Sequence, residues 1–152
     1  MLHSYTKILV HLIRATLHRE KTLVREIRLP LKNHFLEYAR AHEIMLKAIN
    51  VQIDHVHALI DLQSTQKIEE IVKLLKGESS HWINAQHLVH GKFSWQRGYG
   101  AFSISPAHSK SVEEYISVQD EHHKTKTFAD EYKNILQKYG FSLLETDESV
   151  EE

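Results

Sequence analysis

A chain of 152 residues with a net charge of −1 and no cysteine is long enough for one domain with a substantial core, and it excludes disulfides, thiolate metal sites and cysteine nucleophiles. Its aliphatic runs, such as Ile8-Leu9-Val10, fall far short of the roughly 20 apolar residues of a membrane span, and Met1-Leu2-His3-Ser4 does not open a signal peptide, so a cytoplasmic location is expected. The charge is uneven: Glu145 to Glu152 carry five acidic groups and no basic one, leaving 19 basic against 15 acidic groups over 1–144. The expected organisation is one mildly basic domain, 1–144, followed by a solvated, disordered acidic tail, 145–152.

In chain order, Thr6 to Thr16 alternates two apolar sets, Ile8/Val10/Leu12 and Leu9/His11/Ile13/Ala15, which reads as a strand buried on both faces. Pro30 suits the first turn of a helix, and Leu31, Phe35, Tyr38, His42, Met45 and Ile49 recur at helical spacing after it. Ile49–Ile53 and His55–Leu62 read as two short strands joined tightly near Asp54. Ser64-Thr65 is a candidate cap for a helix whose apolar positions are Ile68, Ile71, Val72, Leu74 and Leu75, with a break or kink expected at Gly77 before Trp82. A loop over Phe93–Gly100 leads to a last strand, Ala101–Ser105, stopped by Pro106. Two helices, about Lys110–His122 and Phe128–Tyr139, close the chain, the second ended by Gly140. The order β-α-β-β-α-β is the α+β, ferredoxin-like arrangement: an antiparallel sheet with helices on one face, here with C-terminal helices added.

Thirteen histidines in 152 residues are several times ordinary usage, and imidazole is a common metal ligand. His55-Val56-His57 puts two imidazoles on one face of a strand, able to share a divalent ion while Val56 packs behind them. Thirteen histidines also generate about one such pair by chance, so on spacing alone a satisfied core pair is the stronger reading. Tyr115 and Gln119, four apart, share one face of a helix and present a phenol and an amide to one place; a Tyr packed against the body with a wet hydroxyl has the same pattern. Arg19, Lys73, Lys76, Arg97, Lys110, Lys124 and Lys126 are candidate phosphate contacts or members of a solvated face, and Trp82, Trp95 and Tyr99 are candidate stacking residues or core.

His55-Val56-His57-Ala58-Leu59-Ile60 resembles the His-hydrophobic-His motif of the HUH endonucleases. Three further blocks follow it in order: Lys76-Gly77-Glu78-Ser79-Ser80-His81-Trp82-Ile83-Asn84, then Trp95-Gln96-Arg97-Gly98-Tyr99-Gly100-Ala101-Phe102-Ser103, then Tyr115-Ile116-Ser117-Val118-Gln119-Asp120-Glu121-His122-His123-Lys124 with Thr127-Phe128. Together they resemble the single-tyrosine, TnpA-like transposases of small bacterial insertion sequences, including the REP-associated tyrosine transposases, over about Thr6 to Tyr139. The chain departs from them at Leu17 in Thr16-Leu17-His18-Arg19, where relatives carry a basic residue.

The resemblance implies a DNA transposase that cleaves and rejoins single-stranded DNA through a 5′-phosphotyrosine link at hairpin-marked element ends. In it Tyr115 would be the nucleophile, His55, His57 and Gln119 the ligands of Mg²⁺ or Mn²⁺, and Arg19, Lys73, Lys76, Arg97, Tyr99, Lys110 and Lys124 DNA contacts. It also implies a homodimer whose tyrosine helix can serve the partner's histidine pair, and no membrane partner. The chemistry is self-consistent: a phenol is both nucleophile and leaving group, so the strand is rejoined without another energy source. Alternatives are a domesticated REP-type hairpin nickase or binder, a longer HUH relaxase or replication initiator, and a non-catalytic ferredoxin-like nucleic-acid-binding module. The last would need exposed aromatics on its central strands, and His55-Val56-His57-Ala58-Leu59 offers none.

Overall fold

The computed structural model describes residues 3–122 and 125–141. His123, Lys124 and the acidic tail 145–152 lie outside the described residues, as does the side chain of His122. Four strands, β1 (Ile8–Ala15), β2 (Met45–Val51), β3 (His55–Leu62) and β4 (Gly100–Ile104), form one sheet in the order β2-β3-β1-β4 with every neighbour antiparallel. Helices α1 (Arg25–Ala41) and α2 (Ile68–Ala85) supply the two crossovers, and α3 (Ser109–Ser117), α4 (Gln119–His122) and α5 (Phe128–Lys138) follow. This is the expected ferredoxin-like α+β sheet. None of the described helices is long and apolar enough to cross a membrane.

Strand alternation decides which residues meet which helices. On β1 and β3 one set of side chains, Leu12, Val56, Ala58 and Ile60, packs with Leu31 and Phe35 of α1 and Ile71, Val72 and Leu75 of α2 in the main core. The other set turns to the C-terminal helices: Leu9 and Leu59 meet Ile116 of α3, and Ile13 meets Phe128 and Leu136 of α5. The central strands are therefore buried on both faces. The C-terminal helices form a third layer over the face that carries His55 and His57.

Several local expectations are corrected. Helix α1 starts at Arg25, so Pro30 lies in its second turn; the start is set upstream, where Leu23 N–H donates to Ile53 O and buries its side chain. Met45 and Ile49 belong to β2, not to α1. The helix stops at Ala41, and Glu43 turns the chain through a left-handed conformation (φ 58°). The N-cap of α2 is Lys67, with no side-chain cap bond, so Ser64-Thr65 does not cap it. Gly77 neither breaks nor kinks α2: it faces open space while Leu75 and Ser79 on either side stay buried. The first C-terminal helix is interrupted at Val118 (φ −105°, ψ 28°), so that α4 begins at Gln119.

Gly100 is fixed by a close approach. A Cβ there would lie 2.7 Å from both Phe102 Cε2 and Tyr132 Oη. Gly100→Ala is expected to destabilise the fold by about 1–3 kcal/mol, as overpacking does. Urea titration checks this, with the midpoint falling and the slope unchanged.

Candidate functional site

The period of two along β3 brings His55 and His57 to the face beneath α3 and α5, where both rings are buried. Each ring is gripped at Nδ1. His55 Nδ1 lies 2.7 Å from Asp54 Oδ1, and His57 Nδ1 lies 2.8 Å from Nε2 of His11 on β1. Asp54 is itself anchored, because its carbonyl accepts from the N–H and the hydroxyl of Thr16. With both Nδ1 atoms engaged, the Nε2 atoms turn toward a third residue, Glu131 of α5. Its Oε1 is 2.8 Å from His57 Nε2 and 4.0 Å from His55 Nε2.

Glu131 is the residue sequence reasoning missed. It sits on the buried stripe of α5, between Phe128 and Leu136, and is 4% exposed. A carboxylate on the apolar side of an amphipathic helix is the signal that could have found it. Thr127 starts that helix by accepting from Asp130 N–H, and Phe128 stacks on the His55 ring at 3.9 Å between centroids. Donor atoms of His55, His57 and Glu131 all lie within 4.8 Å of one another. Two imidazoles and a carboxylate, each held by other groups, fit a divalent cation in donor type and spacing.

Tyr115 reaches the same place from α3. Its ring meets those of His11 and His57 edge-on, with centroids 6.3 and 6.0 Å apart. Its hydroxyl is hydrogen-bonded to Glu131 and to the Gln119 side chain. Gln119, fully buried, also donates from Nε2 to Tyr115 O at 3.3 Å. The next residue, Asp120, accepts from Gln52 Nε2 and lies 3.8 Å from Arg28 Nη1, which ties α4 to its own sheet. Tyr115 is thereby seated against the histidine pair of the same chain. A cleft of about 500 Å³ is lined by His11, Tyr115, Lys126, Glu131, Asn134 and Lys138, so Tyr115 and Glu131 face it while the histidine pair stays buried behind them.

Burial sets the electrostatics. It lowers the His11 pKa to about 3, with His57 adding to the shift and Glu131 opposing it, so His11 is neutral at pH 7. The Tyr115 pKa is raised, first by burial and then by the hydrogen bond and charge of Glu131, with Gln119 opposing. A phenol whose folded pKa stands above its ordinary value of 10.0 favours the fold fully below that value and loses this contribution as pH rises past it. Glu131→Gln removes the acidic neighbour. Tyrosinate absorbance in the variant is expected to include Tyr115 at lower pH than in the native chain, with less dependence of stability on alkaline pH.

The family model described as "Transposase IS200 like" matches residues 4–119. The chain belongs to the IS200-like transposases. Among its relatives is the ISDra2 transposase TnpA of Deinococcus radiodurans, 27% identical over 114 residues, covering 72% of this chain and 81% of the relative. A crystal structure described as a transposase of the same organism superposes with a TM-score of 0.63 at 30% identity, covering 78% of this chain and 95% of that one. A REP-associated tyrosine transposase, solved bound to a REP hairpin, superposes with a TM-score of 0.59 at 15% identity, covering 81% and 73% of the two chains. That last likeness is one of fold.

The other sequence-picked residues of this transposase divide by place. Lys76 and Arg97 lie with Arg14 in a basic cluster in which burial, then Arg14 and Arg97, lower the Lys76 pKa. The Arg14 guanidinium donates to the carbonyls of Gln96 and Arg97 and sits 5.5 Å above the half-exposed Tyr99 ring. Arg14 was not picked from the sequence, since an Arg in a buried strand reads as a mere interruption. Arg19 adopts a left-handed conformation (φ 54°) and lies 5.6 Å above the Phe128 ring, beside the candidate site. Lys73 and Lys110 are solvent-exposed on α2 and α3, with Lys73 one turn before Lys76. Trp95 is core, donating to Ser79 Oγ at 2.8 Å, and Trp82 stacks on His34.

Proposed function

We propose that this transposase cleaves and rejoins single-stranded DNA by transesterification at Tyr115, at element ends marked by hairpins. The observation that carries the reading is that Tyr115 and Glu131 line one cleft while Glu131 also gathers the two buried histidines into one cluster of donor atoms. Tyr115 Oη attacks a backbone phosphorus, forms a 5′-phosphotyrosine bond and releases the 3′ oxygen, which leaves as a 3′-OH after taking a proton. Glu131, hydrogen-bonded to the phenol, accepts the proton of Tyr115 and can return it when a 3′-OH reverses the step.

His55 and His57 would hold a divalent cation, Mg²⁺ or Mn²⁺, through Nε2, with Glu131 or Gln119 as a third ligand. Bound there, the cation supplies positive charge to polarise the scissile phosphate and to stabilise the departing oxygen. Asp54 orients His55 by accepting from its Nδ1–H. Along the DNA, Lys76, Arg97 and Arg19 neutralise phosphates and Tyr99 stacks on a base, with Arg14 holding the Gln96–Arg97 backbone in place and Lys73 and Lys110 as outer contacts. The REP hairpin held by the structural neighbour supports hairpin DNA as the partner. A homodimer is the assembly we expect by resemblance.

The test incubates the protein with single-stranded DNA carrying both flanks of its gene, with Mg²⁺, Mn²⁺ or EDTA, before a denaturing gel. A protein–DNA adduct that requires the cation is the expected result. Cleavage without any adduct, or an adduct unaffected by EDTA, would contradict the reading.

A further inference from the structure

His11 is a polar residue on an apolar stripe, between Leu9 and Ile13 on β1, and it is 6% exposed. Its Nε2 meets His57 Nδ1 at 2.8 Å, while His57 Nε2 meets Glu131 Oε1, also at 2.8 Å. A neutral imidazole has one N–H donor and one bare acceptor nitrogen. With Glu131 ionised and accepting, the metal-free His57 carries its proton on Nε2. Its Nδ1 is then an acceptor, and His11 donates from Nε2. A cation at His57 Nε2 needs that lone pair, so the His57 proton must sit on Nδ1 and His11 Nε2 must accept it. The His11 proton then sits on Nδ1. Each ring holds one proton before and after, so the exchange needs no net charge, and His11 borders the cleft through which solvent reaches it.

We propose that His11 is a positioning residue that fixes the His57 ring and its tautomer, donating to Nδ1 in the metal-free protein and accepting from it when a divalent cation is held at Nε2. A carboxylate in this place, as Asp54 is for His55, could only accept. A second imidazole serves both states, and it adds no negative charge to the ion. The inference rests on the metal reading above.

Two measurements on the full chain test it. Calorimetry with Mn²⁺ compares the native protein with His11→Leu and His11→Gln, since a Gln side chain reaches the position of Nε2 and can donate or accept. His11→Leu is expected to weaken Mn²⁺ binding about 10- to 100-fold and His11→Gln by no more than about threefold, in line with other groups that orient metal-bound histidines. Histidine nitrogen NMR of the native chain is expected to show His57 Nδ1 pass from bare to protonated as Mg²⁺ saturates the site, with His11 changing in step. Thermal melting verifies that the variants fold, and the NMR result stands even where His11→Leu does not. Equal Mn²⁺ affinity in His11→Leu and native protein, equal losses in both variants, or a His57 Nδ1 unchanged by Mg²⁺ would overturn the role of His11 alone. A native chain that takes up no cation overturns the metal reading, and this inference with it.

Discussion

Tyr115→Phe is expected to abolish the covalent adduct and strand rejoining, with a loss of at least ~10⁴-fold, the scale seen when a nucleophile is removed from a working constellation. The substitution keeps the ring in its edge-on contacts with His11 and His57. It removes only the hydroxyl and its bonds to Glu131 and Gln119, at a cost in stability of about 1 kcal/mol. DNA binding in EDTA should therefore survive. Filter binding beside the denaturing gel separates the two properties, and a residual adduct in the variant would move the nucleophile elsewhere. The raised pKa of Tyr115 bears on how it becomes a nucleophile. Burial and the Glu131 charge hold the phenol neutral, so on the proposed reading attack calls for a proton acceptor and would be helped by a nearby cation.

His57→Ala is expected to produce the second large effect. The His57 ring stands between His11 and Glu131 and bonds to both, so its removal takes away one of the proposed cation ligands and leaves two buried polar groups facing a void. Cleavage is expected to fall by at least ~10³-fold, since a cation that polarises a phosphate contributes several kcal/mol to the barrier. The fold should lose about 2–4 kcal/mol from the void and the stranded groups. High Mn²⁺ should not restore the rate. Metal titration of single-turnover cleavage checks this, and full recovery at high Mn²⁺ would demote His57 from ligand to packing residue.

The sheet and the histidine pair were legible because both follow from the period of two along a strand. Ile8 to Ala15 and His55 to Leu62 are buried on both faces, and that burial writes itself as near-continuous apolar sequence. The placing of Met45 and Ile49 in a helix failed because their spacing also fits period 3.6. The deciding feature is the left-handed turn at Glu43, which no apolar pattern encodes. Tyr115 and Gln119 emerged from helical spacing joined to a family resemblance, although the break at Val118 was invisible. Glu131 was missed because its meaning lies in what it faces: 74 residues separate it from His57, and only the packing of α5 brings them together. His11 was read as one more member of an apolar alternation for the same reason.

The most direct test of the central claim is to identify the residue that carries the DNA. The trapped adduct would be digested with nuclease and trypsin, and the modified peptide sequenced by mass spectrometry. The chain has six tyrosines, so the outcome is not predetermined by chemistry alone. A nucleotide phosphate on Tyr115, in the peptide spanning 111–124, is the expected result. The same mass on another tyrosine, or on a different residue type, would contradict the assignment of Tyr115.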